Sequence, residues 1–199
     1  EAQKKQWLEP LQVESWGYRR KARLGVRYVN KKDKVLVGFR ERKSSYITVM
    51  ERCEVLHPLL GDNLELLGEC IGKLSVKFHV PQIEVAIAEL DTILILRHLQ
   101  PLTSEDEIIL QEYGEKLKIT WYTQSGGLET VKPLNAAVSL NYSLPDHDIK
   151  MTFLPTDFTQ VNFELNQKMI NLSLQLLDLN KEDEVIDLFC GLGNFTLPI

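Results

Sequence analysis

The chain has 199 residues, 44% hydrophobic and 26% charged, with a formal net charge of -5, ordinary proportions for a soluble globular protein of one or two domains. No apolar run approaches the roughly 20 residues of a membrane span, so no membrane partner is expected. Three cysteines without repeating spacing do not make a disulfide framework, and the N-terminus lacks the charged-then-apolar layout of a signal peptide, so cytoplasmic residence is the expectation.

The net charge conceals an asymmetry. Residues 19–43 hold eleven Lys/Arg against two acids, or +9, while the remainder holds 12 bases against 26 acids, or -14. A localized basic block on an acidic protein points to one polyanion-facing surface, with a solvated face on a charged hairpin as the alternative.

In chain order, residues 1–11 read as the end of a helix broken by Pro10, and the chain is expected to be truncated at both ends. Residues 16–29 alternate basic and apolar side chains, the pattern of a half-buried strand with one cationic face. A polar turn at 30–34 leads into a partner strand at 35–39, with a third short strand expected at 46–49. An apolar-periodic helix is expected from His57-Pro58 to about Ile71. Residues 82–90 and 92–99 read as a second hairpin. Ser104 with Glu107 three residues on makes a capping box for a helix running to about Leu117. Strands are expected at 118–123, 137–142 and 149–154. Val161, Leu165, Met169, Leu172, Leu176 and Leu179 form the stripe of an amphipathic helix, with Thr156, Asp157 and Thr159 as cap candidates. A composition shift near residue 150 is the best internal boundary. The mixture is α+β with an antiparallel sheet.

The end of the chain reads Asp187-Leu-Phe-Cys-Gly-Leu-Gly-Asn194, then Phe195-Thr-Leu-Pro198. A buried strand over 185–189 entering a glycine turn is how nucleotide-type cofactors are cradled, because glycines let backbone approach the ligand and the strand-end acid accepts hydrogen bonds. S-adenosylmethionine suits this turn. An unrelated tight turn and a dinucleotide site remain open, although the latter normally has a third glycine where this chain has none. About thirty residues upstream, Phe153-Leu-Pro-Thr-Asp-Phe-Thr-Gln-Val-Asn162 puts Phe158 and Gln160 at a helix mouth. There an aromatic face and an amide could meet an extruded base or the cofactor, or serve as a core anchor and an ordinary first-turn residue.

Taken together, these two segments, Asn166-Gln-Lys-Met169, Trp16-Gly-Tyr-Arg-Arg-Lys-Ala-Arg-Leu24 and Val37-Gly-Phe-Arg40 closely resemble the RNA uracil-5-methyltransferases, in particular the branch acting on 23S ribosomal RNA. The resemblance spans nearly the whole chain. It implies an α+β central domain with an antiparallel sheet (15–149), in the family an iron–sulfur domain. This is joined to the start of an α/β Rossmann-like methyltransferase domain (150–199), against which residues 1–14 pack. An N-terminal oligonucleotide-binding barrel would precede the chain.

By motif position, the resemblance makes Gln160, Phe189 and Asn194 contacts of S-adenosylmethionine. Arg19, Arg20, Lys21, Arg23 and Phe158 become RNA contacts. Cys53 becomes one of four thiolate ligands of a 4Fe-4S cluster, the other three lying upstream, although Glu54 stands where the family often has proline. Taken alone, Cys53 reads as a buried structural cysteine, Cys70 as helix core and Cys190 as a packing residue. The implied reaction adds a cysteine thiolate to C6 of a flipped uracil, transfers methyl to C5, and removes the C5 proton with a carboxylate. Those reacting groups are expected beyond this chain, so methylation of 23S ribosomal RNA belongs to the full-length protein, expected as a monomer, and these residues alone are expected to be inactive. Methylation of tRNA and a non-catalytic RNA-binding module are the alternatives.

Overall fold

The computed structural model describes residues 7–199. Strands β1 (Lys21–Val29) and β2 (Lys34–Gly38) form the expected basic hairpin, joined by a 3-10 turn that ends on Asp33 at φ 45. Two short helices follow, α1 (Pro58–Gly61) and α2 (Leu64–Lys73). Strand β3 (Gln82–Ile87) returns beside β1 and turns into β4 (Thr92–Arg97), both pairings antiparallel. Helix α3 (Ser104–Leu117) then crosses over to β5 (Thr120–Gln124), which pairs with β4 in parallel, and β6 (Lys132–Pro133) closes the edge. The six strands lie in the order β2-β1-β3-β4-β5-β6.

Alternation decides what each face of this sheet buries. On one face Leu24, Val26, Ile83, Val85, Leu94 and Leu96 meet Leu64, Leu67 and Ile71 of α2 and Leu110 of α3. On the other, Ala86, Ile93, Ile95 and Tyr122 meet the hairpin β7 (Leu140–Leu144) and β8 (Ile149–Phe153), and Ile170 of α4 (Phe163–Leu177). Burial on both faces explains why β3 and β4 read as near-continuous apolar runs rather than clean alternation. Fully burying one such Leu or Ile contributes about 1.5–3 kcal/mol.

The fold is the expected mixed α+β with an antiparallel-rich sheet, and several local expectations change. The third strand at 46–49 does not form; a single bridge joins Arg40 to Ile47, and only Ile47 is buried in that stretch. The helix expected over 57–71 breaks at Asp62 and Asn63. Gly61 approaches the Cys53 carbonyl so closely that an added Cβ would stand 2.4 Å from it. The α3 capping box uses Thr103 and Asp106, one residue earlier than Ser104 and Glu107. The cap of α4 is Asn162, whose Oδ1 accepts from the Leu165 N–H at 3.0 Å, and none of the three candidates before it. The boundary expected near residue 150 falls inside β8, and β7 and β8 pack with α4.

The closing segment departs furthest. Residues 185–189 form no strand, and Ile186, Leu188 and Phe189 are exposed. A parallel strand needs hydrogen-bonded neighbours and cover on both faces, which no described residue offers at this place. The helix end expected over 1–11 falls partly outside the described residues, and Trp7 to Leu11 have no regular structure. Among the described residues no helix is long and apolar enough to cross a membrane.

Candidate functional site

The loop from β8 into α4 is built by its own polar groups. The Asp157 carboxylate accepts from the Leu154 N–H at 2.7 Å while the Asp157 N–H donates to the Leu154 carbonyl at 2.9 Å, closing a tight turn. Pro155 and Thr159 point inward, which leaves Phe158 79% exposed and Gln160 half-buried at the mouth of the helix. Opposite this loop lies the glycine turn. Gly191 and Gly193 adopt φ 60 and 85, values that favour glycine. The Gly193 N–H donates to the Cys190 carbonyl at 3.0 Å, and Thr196 Oγ1 donates to Asp187 Oδ2 at 2.5 Å. Among the described residues, none beyond Gly191 and its two chain neighbours has an atom within 4 Å of where a Cβ on Gly191 would stand, so its face is open to a ligand.

Between loop and turn is a cleft of about 370 Å³, bordered by Phe158, Gln160, Phe189, Asn194, Tyr142 and the Gly191 backbone, a size that suits a small-molecule ligand. The residues expected to contact cofactor or base therefore come together from segments about thirty positions apart. Their roles differ in kind. Phe189 is fully exposed at φ 64, a conformation a non-glycine residue adopts at some cost. Asn194 borders the cleft but bonds mainly inward. Its Oδ1 accepts from Tyr142 at 3.0 Å and Asn166 at 2.9 Å, and its Nδ2 donates to Asn166 Oδ1 at 2.8 Å. This amide pair fastens the glycine turn to α4 and β7. Burial pushes the Tyr142 phenol pKa up from its ordinary value, because the charged form is disfavoured away from water.

Gln160 also borders a second cleft, of about 500 Å³, formed between α4 and residues Leu11 to Ser15 with Tyr18. Lys168 Nζ donates to the Gln12 carbonyl at 2.7 Å and ties that N-terminal segment to the helix. Sequence reasoning missed Asn166, Tyr142 and Lys168. Of these, Asn166 left a signal: an amide within an apolar helical stripe, four residues after Asn162, has to find a partner when buried.

The basic block divides. Arg20 is half-buried, donates from Nη1 to the Ala88 carbonyl at 3.0 Å, and lies 5.0 Å over the Phe163 ring. Lys21 Nζ donates to the carbonyls of Pro155 and Asp157. Burial pulls both pKa values down, opposed by Glu89 at Arg20 and by Asp157 and Glu84 at Lys21. Arg19 is half-buried, and its Nε has no hydrogen-bond partner among the described residues. Arg23 is exposed and paired with Glu84 at 2.9 Å. Beyond it Arg27, which lies 6.0 Å over the Tyr46 ring, Lys31, Lys32, Arg40, Arg42 and Lys43 are exposed.

Cys53 is half-buried, its N–H donating at 3.0 Å to the carbonyl of Gly61, the last residue of α1. Among the described residues no group of three or more His, Cys, Asp or Glu is arranged to hold a metal. Cys70 lies in the core, its thiol pKa pushed up to about 12 chiefly by burial, and Cys190 is exposed in the glycine turn.

The family profile described as tRNA (Uracil-5-)-methyltransferase matches residues 73–199. The chain belongs to this family. It is 63% identical over 193 residues to the 23S rRNA (uracil(1939)-C(5))-methyltransferase RlmD of Vesicomyosocius okutanii, covering 97% of this chain and 44% of the relative. It is 53% identical over 196 residues to the enzyme of the same name from Nitrosococcus oceani, covering 98% and 44%. The chain therefore spans less than half the length of these relatives. The crystal structure of Pyrococcus abyssi tRNA (uracil-54, C5)-methyltransferase in complex with S-adenosyl-L-homocysteine superposes with a TM-score of 0.65 at 17% identity. The match covers 93% of this chain and 47% of that one, so the two share a fold.

Proposed function

We propose that the full-length protein methylates C5 of a uridine in 23S ribosomal RNA, using S-adenosylmethionine. The observation that carries this reading is the single cleft uniting Phe158 and Gln160 with the glycine turn. The names of the 63% and 53% identical relatives favour ribosomal RNA over tRNA.

The donor set of the cleft fits the cofactor. S-adenosylmethionine would supply an electrophilic methyl group on a sulfonium. The open backbone at Gly191 can approach an adenosine or amino-acid group, and the Gln160 amide can both donate and accept. Phe158 offers an exposed ring on which an extruded base can stack. Because Gln160 borders both clefts, it is suited to meet cofactor on one side and target base on the other. Asn194 would act by holding the glycine turn in place through Asn166 and Tyr142. The thiolate that attacks C6 and the carboxylate that takes the C5 proton are assigned to other segments of the full-length protein.

Residues 15–149 are read as the RNA-binding central domain, and 1–14 with 150–199 as part of the methyltransferase domain, with the β7–β8 hairpin spanning the two. The bond from Lys168 to Gln12 supports the second grouping. Cys53, a free thiol of intermediate burial, would hold one iron of a 4Fe-4S cluster.

Release of tritium from 5-tritiated uridine tests the reading, using the full-length protein with S-adenosylmethionine and either a 23S fragment or tRNA. Release from the 23S fragment is expected. Release from tRNA alone favours the other substrate, and release from neither contradicts the reading.

A further inference from the structure

We infer that Lys21 is a positioning residue of the cofactor cleft and not a phosphate contact: from the first strand of the central sheet, its ammonium fixes the loop that presents Phe158 and Gln160. The inference rests on the methyltransferase reading of that cleft.

The sequence places Lys21 in the middle of a basic run, where a phosphate contact is the natural assignment. Its actual partners are two carbonyls more than 130 residues away, Pro155 at 3.0 Å and Asp157. Both belong to the turn just before Phe158. The Asp157 carboxylate is engaged with the Leu154 N–H. Lys21 therefore holds backbone, and that backbone fixes where the next three residues point. An ammonium has three donors. Two of these are taken and the group is half-buried, whereas Arg23, two residues on, keeps a side chain 69% exposed.

The neighbouring contacts act in the same sense. The Arg20 N–H donates to the Val161 carbonyl at 3.0 Å, just beyond Gln160, and the Arg20 guanidinium lies over Phe163 at the start of α4. The segment from Pro155 to Phe163 is thus tied to the start of β1 at both ends, with Phe158 and Gln160 between the ties. Phe158 at 79% exposure has little packing of its own to hold it. Misplacing a binding group by about 1 Å is enough to cost on the order of 100-fold in rate.

The test uses the full-length protein with K21M and K21R. S-adenosylmethionine affinity and KM, 23S fragment affinity across a salt series, and Tm are measured for each. K21M is expected to weaken S-adenosylmethionine binding and raise its KM by about 10- to 100-fold. RNA affinity should stay within about threefold, with an unchanged salt slope. K21R should recover most of the cofactor affinity, because a guanidinium can donate to both carbonyls.

K21M that binds S-adenosylmethionine normally, while its RNA binding weakens and its salt slope drops by about 0.7–0.9, would overturn the inference in favour of a phosphate contact. Equal loss of both affinities would also overturn it, by marking a general structural role. If K21M does not fold, K21Q, which keeps a donor but cannot span both carbonyls, is read by the same division. A wild-type protein that binds no S-adenosylmethionine defeats the methyltransferase reading, and this inference with it.

Discussion

The two ends of the basic block have the same composition and different physics. At its start, Arg20 and Lys21 are half-buried and donate to carbonyls of other elements. Around the hairpin tip and beyond, Lys31, Lys32, Arg42 and Lys43 stand in solvent. Only the second group keeps its charge available to a polyanion at long range. The first group does internal work, docking the central sheet to the loop that carries the candidate site. A run of cations in a sequence therefore marks a surface only where the fold leaves them unpartnered.

Substitutions should separate the two groups by stability first. R20A removes the bond to the Ala88 carbonyl and the contact with Phe163. It should cost about 2 kcal/mol in urea unfolding of the full-length protein. Asp106 is a buried anion of the same docked kind. Burial pushes its pKa up, but the hydrogen bonds from Ser75 and Thr103 outweigh this and hold it below its ordinary 3.8. Its contribution is present above pH 3.8 and lost as pH falls through the lower folded value. D106N should cost about 1–2 kcal/mol at pH 7 and flatten the acid limb of stability below pH 3.8.

Arg23 lies between the groups. Its pair with Glu84 is mostly exposed on the arginine side, and Glu84 keeps a bond from Gln82 at 3.0 Å. R23A should cost about 0.5 kcal/mol. The double substitution K31A/K32A should change stability by less than about 0.5 kcal/mol, yet weaken binding of a 23S fragment and lower its salt slope by about 0.7 per lost contact. A large stability loss in K31A/K32A, or none in R20A, would erase the distinction.

Much of the fold was legible because its signals are local. Alternation in β1 and β3 marks strands whose partners lie within the chain. The apolar stripe found the α4 helix but not its buried face, which carries Phe163, Asn166, Ile170 and Leu174, while Leu176 and Leu179 are exposed. Even the α3 cap was misplaced by one residue only because Thr103 with Asp106 satisfies the same pattern as Ser104 with Glu107. What failed was non-local. The parallel pairing of β4 with β5 depends on where α3 delivers the chain, and the partners of Lys21 are carbonyls, which no residue type announces. The strand expected at 185–189 does not form, because its apolar residues have no hydrogen-bonding neighbours among the described residues, and Ile186 and Leu188 are exposed. Of the site, the residue types were readable and their meeting in one cleft was expected. The internal bonding of Asn194 was not, because its partner Asn166 sits 28 residues away on a helix.

Hydrogen exchange on the full-length protein, with S-adenosylmethionine alone and with a 23S fragment alone, tests the account most directly. The account predicts that the cofactor slows exchange in residues 154–162 and 187–197 and leaves 30–43 unchanged, while RNA alone slows exchange in 30–43. Cofactor binding that protects 30–43, or that leaves both cleft segments unchanged, would contradict it.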